Sequence, residues 1–121
     1  RATQTGVTID FTADDILSMD VDRRFDLILD RGVLHCFADE DRRRRYIARI
    51  HGWLNSDGIL LLKCFSHEEN REEGPPCRFS PDDIRTMFCK GFRVMEISPA
   101  NFSSPDGSEP PRALFAVLRR D

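Results

Sequence analysis

The sequence lacks a long apolar run, a Cys-x-x-Cys pair and an excess of basic residues. No segment is apolar enough over the length of a bilayer, and no signal-peptide pattern is visible, so we expect a cytoplasmic protein that does not enter membranes. The net charge of -3 gives no global attraction to nucleic acid. The 121 residues, 40% hydrophobic and 32% charged, suffice for one modest core.

The four cysteines do not have the spacing of a compact disulfide framework, and we expect them to be buried free thiols. They are Cys36, Cys64, Cys77 and Cys89. A zinc site that combines Cys64, His67, Cys77 and Cys89 is the alternative. No closely spaced cysteine pair exists to start such a site, so we expect no bound metal.

The most informative segment is Phe25–Leu29, a short apolar run that is followed at once by Asp30, Arg31 and Gly32. Such a run, bounded by a turn signal, predicts a buried strand of a mostly parallel sheet. Open α/β sheets bind ligands at the carboxyl ends of their strands. The polar residues after Leu29 are therefore the first candidates for a functional site.

Hydrophobic periodicity predicts five strands and two helices in the order strand, strand, helix, strand, helix, strand, strand. The strands are Val7–Phe11, Phe25–Leu29, Ile59–Phe65, Phe92–Ile97 and Ala113–Leu118, and the helices run from Asp39 to Leu54 and from Ser80 to Gly91. The order predicts an α/β fold with parallel strands, and an antiparallel pair at the end, where no helix joins the last two strands. Polar loops are expected at Ser66–Cys77 and Ser98–Arg112.

Four segments resemble, in the correct order, motifs of class I S-adenosylmethionine-dependent methyltransferases. Thr12–Leu17 resembles the third motif, Phe25–His35 the fourth-strand motif, Leu54–Leu62 the start of the fifth strand, and Pro111–Arg120 the terminal strand. Asp-Arg-Gly followed by an apolar residue and a His resembles the small-molecule branch that includes thiopurine and tellurite-type methyltransferases. The resemblance implies a Rossmann-like methyltransferase fold whose mostly parallel sheet ends in an antiparallel hairpin.

The resemblance also implies that residues 1–121 form a single partial domain, from the third strand to the terminal strand. The family's Gly-rich first motif and the acidic residue after the second strand have no counterpart here. Ser56 and Asp57 stand where the family often has Pro and Gly. The implied function is methyl transfer from S-adenosyl-L-methionine to a small-molecule acceptor, with weak or no activity in this C-terminal part alone.

Cofactor contacts carried over from the family fall on two places in the chain. Asp14 or Asp15 is expected to bind adenine, with Asp14 favoured, and Asp30, Arg31 and Gly32 are expected to line the methionine side. The alternatives are that Asp14 and Asp15 cap a short helix, and that the Asp30–Gly32 segment is a plain turn with a surface ion pair.

His35 is the candidate general base, three residues after Gly32, and Asp30 is the second candidate catalytic residue. A packed or solvated imidazole is the alternative for His35, and His67 is a weaker candidate for the same role. Methyl transfer is an in-line displacement at an activated carbon, so the protein mainly has to align the acceptor and exclude water.

The basic run Arg42–Arg45, with Arg49, suggests nucleic-acid binding at first sight. On a helix these side chains surround the apolar stripe, and we interpret them as a solvated face. Tyr46, Trp53 and Phe88 are expected in the core rather than in a stacking platform.

Two functions from other classes remain as alternatives. In the first, the chain is a non-catalytic interaction module that forms a homodimer through an exposed sheet edge beside Phe25–Leu29. In the second, it is a nucleotide-binding oxidoreductase, but the Gly-rich fingerprint that should open such a chain is missing.

Overall fold

The structure, a computed structural model, describes residues 12–69, 77–104 and 107–121. Within these ranges it has four strands, two α-helices and a short 3-10 turn. They are β1 (Phe25–Arg31), the 3-10 turn Leu34–Cys36, α1 (Glu40–Trp53), β2 (Leu54–Phe65), α2 (Pro81–Met87), β3 (Phe92–Asn101) and β4 (Arg112–Arg120). The predicted strand Val7–Phe11 and residues 70–76 of the predicted loop Ser66–Cys77 lie outside the described residues.

The four described strands form one sheet in the order β1-β2-β4-β3. β1 and β2 are parallel, whereas β4 is antiparallel to both β2 and β3. The predicted parallel crossover and the predicted antiparallel pair at the end of the chain are therefore both confirmed. The last strand of the chain lies between β2 and β3, so the sheet is mixed and β2 lies in its interior, as predicted.

Helix α1 starts at the predicted place and has the predicted apolar stripe. The Asp39 side chain accepts a hydrogen bond from the backbone N–H of Asp41 (3.2 Å), which satisfies a free donor of the first turn. Tyr46, Ile47 and Ile50 are buried against the sheet. This packing fixes α1 on one face of the β1–β2 pair.

The turn-forming residues Asn55–Gly58 predict a break between the first helix and the next strand. In the structure they are an irregularity within β2 rather than a separate loop. Leu54 already pairs with Phe25, and the register slips before Ile59 pairs with Leu27. A Cβ atom on Gly58 would lie 2.8 Å from the Asn55 carbonyl oxygen, so the backbone approaches too closely for a side chain. The turn residues were recognised correctly, but they bend a strand instead of ending one.

Helix α2 starts as predicted and ends early. Ser80 Oγ accepts from Asp83 N (3.1 Å) and Asp83 Oδ2 accepts from Ser80 N (2.8 Å), which forms a capping box. The helix ends at Met87, four residues before the predicted end at Gly91. Directly after the helix, the buried Phe88 ring packs on Phe92, with ring centroids 5.3 Å apart.

The core lies between one face of the sheet and the two helices. The inward side chains of the central strands are all buried: Leu60, Leu62, Cys64, Leu114, Ala116 and Leu118. Phe88 and Trp53, expected in the core, are respectively buried and packed against it. Of the helices in the described ranges, none has the length and apolarity needed to cross a bilayer.

The expectation that Phe25–Leu29 is a buried strand is wrong for one of its faces. Among the described strands β1 is at the edge of the sheet, and Leu27 and Leu29 are 56% and 65% exposed. Only the side of Ile28 and Asp30 packs towards the core. Because every position from Leu27 to Leu29 is apolar, the sequence has no alternation that would reveal an exposed side.

We expect truncation of the two strand faces to have unequal effects. Leu62→Ala should lower the free energy of unfolding by about 2–5 kcal/mol, since it opens a cavity in the core. Leu29→Ala should change it by less than about 0.5 kcal/mol, because the side chain is mostly in solvent. Urea unfolding of both variants checks this, and equal losses would contradict a core on only one face of the sheet.

Candidate functional site at the carboxyl end of β1

The carboxylate of Asp30 closes the chain into a tight turn directly after β1. Asp30 is only 2% exposed. Its Oδ1 accepts from the backbone N–H of Val33 (2.8 Å), and its Oδ2 accepts from the N–H of Leu34 (3.2 Å) and from the Tyr46 hydroxyl (2.7 Å). A buried carboxylate needs such donors, since burial without partners costs several kcal/mol. Asp30 therefore folds the turn rather than forming the surface ion pair considered above.

Gly32 is at the centre of this turn, and the position requires glycine. Its φ angle is +106°, a backbone conformation that side chains disfavour. A Cβ at this position would also lie 3.2 Å from His35 Nε2. The Cys36 thiol donates to the Gly32 carbonyl oxygen (3.3 Å), so the turn is also held from its far side.

The imidazole of His35 joins the turn to the end of β2. Its Nδ1 accepts a hydrogen bond from the backbone N–H of Phe65 (2.9 Å), and its ring is buried. Burial lowers the pKa of His35, against the opposing effects of the Asp30 charge and of the Gly32 backbone, which raise it. The ring is accordingly neutral near pH 7, with its hydrogen on Nε2.

This geometry restricts the general-base role predicted for His35. A neutral ring that accepts at Nδ1 can gain a proton only there, so the bond from Phe65 would have to break first. Nε2 can donate to a ligand without that change. The catalytic role of His35 stays a prediction, and His67, the weaker candidate, is exposed, with its backbone N–H bonded to the Phe79 carbonyl (2.9 Å).

Aromatic rings and cations gather beside His35. The Phe65 and Phe102 rings lie 5.2 Å and 5.8 Å from the His35 ring. Arg31 and Lys63 lie over Phe102, at 5.7 Å and 5.0 Å from its centroid. This surface, which we call the Phe102 cluster (His35, Phe65, Phe102, Arg31, Lys63), has aromatic faces and a positive charge.

The segment after β3 reaches the turn through this cluster. Arg31 Nη2 donates to Ser103 Oγ (3.4 Å), so the connection between β3 and β4 is close to the end of β1. Strands β3 and β4 extend further than predicted, and this connection is Phe102–Pro111 rather than Ser98–Arg112. Phe102 was missed in the sequence because an isolated aromatic residue in a loop belongs to no periodic pattern.

Two further residues were assigned no polar role from the sequence. Tyr46 is in the core as predicted, but its hydroxyl binds Asp30. Glu69, which is buried, accepts from the backbone N–H of Arg112 (2.7 Å) and so connects the segment after β2 to the start of β4. A helical stripe identifies Tyr46 as buried but says nothing about the partner of its hydroxyl.

Asp14 and Asp15 lie in a separate turn. Asp14 Oδ1 accepts from Asp15 N (2.8 Å) and Asp15 Oδ1 accepts from Leu17 N (3.0 Å), so both carboxylates bind backbone within the turn. No helix starts here among the described elements, so the alternative of a capped short helix is wrong. Arg49 Nε donates to the Ile16 carbonyl (3.0 Å) and attaches this turn to α1. Both carboxylates are exposed. Their predicted contact with adenine stays a prediction.

The basic run of α1 has two kinds of member. Arg44 is exposed and pairs with Glu40 (3.5 Å) and Asp41 (3.8 Å), as expected of a solvated face. Arg43 instead turns inward and donates to the Phe37 and Ala38 carbonyls (2.8 Å and 3.1 Å). Arg43 therefore holds the chain that precedes α1.

All four cysteines are free, as predicted, but the expectation that they are buried is wrong for Cys36 and Cys89, which are exposed. Burial, followed by the charge of Asp30, raises the pKa of Cys64 to about 12, so this thiol stays protonated. Within the described ranges, no three His, Cys, Asp or Glu side chains are grouped so as to hold a metal ion.

A cavity of about 620 Å³ lies elsewhere, between α1 and the segment that connects α2 to β3. Its lining includes Ile47, His51, Met87, Lys90 and Phe92, and none of the residues of the turn after β1. We place the candidate site at the strand ends and not in this cavity, because the buried polar groups converge at the strand ends.

Comparison with solved structures identifies the fold as that of class I S-adenosylmethionine-dependent methyltransferases, as predicted. The chain is similar to a protein solved in work on conversion of a disulfide bond into a thioacetal group during echinomycin biosynthesis (TM-score 0.77, 23% identity, 99% of this chain and 59% of that one). It is also similar to the N-methyltransferase NodS of Bradyrhizobium japonicum WM9 in complex with S-adenosyl-L-homocysteine (TM-score 0.74, 23% identity, 98% and 57%). At these identities the likeness shows the fold alone.

The family profile of Thiopurine S-methyltransferase matches residues 2–116, and the chain belongs to this family. It is 33% identical over 72 residues to the thiopurine S-methyltransferase of Vibrio vulnificus (strain YJ016), which covers 60% of this chain and 32% of that protein. The thiopurine S-methyltransferase of Vibrio parahaemolyticus is 30% identical over 69 residues, which cover 57% of this chain and 31% of that protein. The matched region thus spans about a third of these relatives' length.

We expect the stability of the chain to fall in mild acid because of His35. The pKa of His35 in the folded chain lies below its ordinary value of 6.5, so the unfolded chain binds more protons below about pH 6.5. The free energy of unfolding should therefore be highest above that pH and decrease as the pH falls through it. Urea unfolding at several pH values measures this slope.

His35→Gln should reduce the slope, because the titrating group is removed. Burial and the neighbouring Arg120 also lower the pKa of His51. His51→Gln is therefore the matched control, because it removes the contribution of His51 to the pH dependence and keeps that of His35. A His35→Gln variant with the unchanged slope of the wild type would contradict a buried neutral imidazole at this position.

Proposed function

We propose that this chain forms the C-terminal part of an S-adenosyl-L-methionine-dependent methyltransferase that acts on a small-molecule acceptor. The single observation that carries the proposal is the turn held by Asp30 at the carboxyl end of β1, beside the parallel strand β2. Family membership supports the reaction class. In this proposal residues 1–121 are one partial domain.

The residues of the turn fit one end of the cofactor. Gly32 gives the turn its left-handed backbone, with its side-chain position against His35, and the exposed Arg31 beside it carries a positive charge. When bound, S-adenosyl-L-methionine supplies a methyl group on a positively charged sulfur. Arg31 and Gly32 would border its methionine end and Asp14 its adenine, while Asp15 shapes the turn that presents Asp14.

Asp30 contributes from the interior in this proposal. Its two carboxylate oxygens are taken by Val33, Leu34 and Tyr46, so it orients the turn and makes no contact with the acceptor. His35 lines the acceptor side with Nε2 as a donor. The other members of the Phe102 cluster would hold the acceptor against His35 and exclude water. Alignment and exclusion of water are what an in-line methyl transfer chiefly needs.

The chain alone should bind the cofactor weakly. The sequence contains no Gly-x-Gly loop, and backbone N–H groups of such a loop would be needed to hold the rest of the cofactor. The proposal therefore assigns this chain a part of the cofactor surface and most of the acceptor surface.

Titration with S-adenosyl-L-homocysteine tests this assignment. We expect binding in the millimolar range, detected as shifts of the backbone amide signals of Arg31, Gly32 and Val33 in a nitrogen-15 spectrum. Asp14→Ala should weaken the binding, whereas Lys90→Ala, on the helical side of the chain, should leave it unchanged. Methyl transfer from labelled cofactor to small thiols, amines and phenols should stay at background.

Each outcome of this titration is informative. Absence of any shift at Arg31–Val33 at saturating ligand would overturn the cofactor site. Submicromolar binding, or turnover by the chain alone, would support methyl transfer but refute the statement that this part is insufficient by itself.

A second function is favoured by the exposed edge of the sheet. Leu27 and Leu29 project from β1, which has a hydrogen-bonded neighbour on one side only among the described strands. We propose as the alternative that two copies associate through this strand as a non-catalytic interaction module, since open strand edges pair readily.

Sedimentation at increasing concentration tests the alternative. We expect a concentration-dependent dimer that Leu29→Lys shifts towards monomer, because a Lys on an edge strand opposes pairing with a second copy. Met95→Lys, which charges an exposed apolar residue of β3, is the matched control and should not shift it. A strictly monomeric wild type would refute this function.

A further inference from the structure

We propose that Tyr46 is a positioning residue for the cofactor-binding turn, acting through the hydrogen bond from its hydroxyl to Asp30. The link to the cofactor rests on the proposed function. The link between Tyr46 and the conformation of the turn does not, and it can be tested separately.

The contact joins the middle of α1 to the end of β1. Tyr46 is buried, and its hydroxyl lies 2.7 Å from Asp30 Oδ2. The same oxygen accepts the Leu34 N–H (3.2 Å), while Oδ1 accepts the Val33 N–H (2.8 Å). The helix and the turn therefore share one carboxylate. A change at Tyr46 should affect the hydrogen bonds that Asp30 accepts from the Val33 and Leu34 amides.

The ring and the hydroxyl of Tyr46 have separable roles. The ring packs on Phe37, with centroids 5.3 Å apart, and belongs to the hydrophobic core. The hydroxyl supplies one of the three donors of a carboxylate that is almost wholly out of water. Removing the hydroxyl alone leaves a lone pair of that carboxylate without a partner, which disfavours the observed position of Asp30.

Tyr46 acts through Asp30 and does not exchange protons itself. Burial, followed by the charge of Asp30 and the hydrogen bond to it, raises the pKa of Tyr46 above its ordinary value. The hydroxyl is thus protonated at neutral pH and serves as a donor. Its effect on a ligand is to keep Gly32 and the neighbouring backbone in the conformation that the ligand meets.

Tyr46→Phe tests the proposal, because it removes the hydroxyl and retains the ring. We expect hydrogen exchange of the Val33 and Leu34 amides to become about tenfold faster or more, as the loss of a charge-assisted bond implies. Affinity for S-adenosyl-L-homocysteine should fall by about three- to tenfold, a fraction of that loss. The control is Ile84→Val, which removes a methyl group from the same core and no polar atom.

A comparison with the control decides between positioning and mere stability. The proposal is overturned if Ile84→Val has as large an effect as Tyr46→Phe on either measurement. The two measurements are the hydrogen exchange of the Val33 and Leu34 amides and the affinity for S-adenosyl-L-homocysteine. If the wild type binds no S-adenosyl-L-homocysteine, the proposed function fails, but the exchange rates still decide the role of Tyr46.

A second measurement keeps the proposal open to refutation should Tyr46→Phe not fold. Tyr46 is the only tyrosine of the chain, so labelling tyrosine at the ring carbon that carries the hydroxyl gives one carbon-13 signal. Asp30→Asn should shift this signal, since it replaces the charged acceptor, whereas Ile84→Val should not. An unchanged signal in Asp30→Asn would show that the hydroxyl does not depend on Asp30.

Discussion

A buried charge at the end of β1 is the constraint on which the site depends. A carboxylate in the interior is tolerated only when donors surround it, and here the donors come from both a turn and a helix. Meeting that demand bends the chain sharply after Arg31, which in turn requires the positive φ angle of Gly32. The buried carboxylate of Asp30 thus determines the backbone conformation of the turn that covers it.

The bend then determines where His35 stands. Its ring is directed to the end of β2 and receives the Phe65 N–H, so it spans the two parallel strands at their carboxyl ends. With both Asp30 and His35 bound to backbone groups, the members of the Phe102 cluster that remain exposed or half-buried are Arg31, Lys63 and Phe102. The site consequently has a rigid polar interior and an aromatic, positively charged exterior.

Local chemistry predicted much of this arrangement, and tertiary contacts account for the rest. The cap residue Ser80 and the acidic run that begins at Asp39 indicated the two helix starts, because caps and first-turn charges act within a few residues. The exposed face of β1 was missed because its side chains are apolar on both faces. The roles of Tyr46 and Arg43 depend on acceptors distant in the fold, and neither a helical stripe nor a basic run specifies an acceptor.

The position of β4 has a consequence for how the chain acquires its structure. β4 is hydrogen-bonded to a strand on each side, with seven register pairs to β2 and nine to β3. Until Arg112–Arg120 leaves the ribosome, β3 has no partner and β2 pairs only with β1 among the described strands. The described sheet therefore cannot close before β4 is synthesised, and a stop codon shortly before Arg112 would leave β3 separate from the β1–β2 pair.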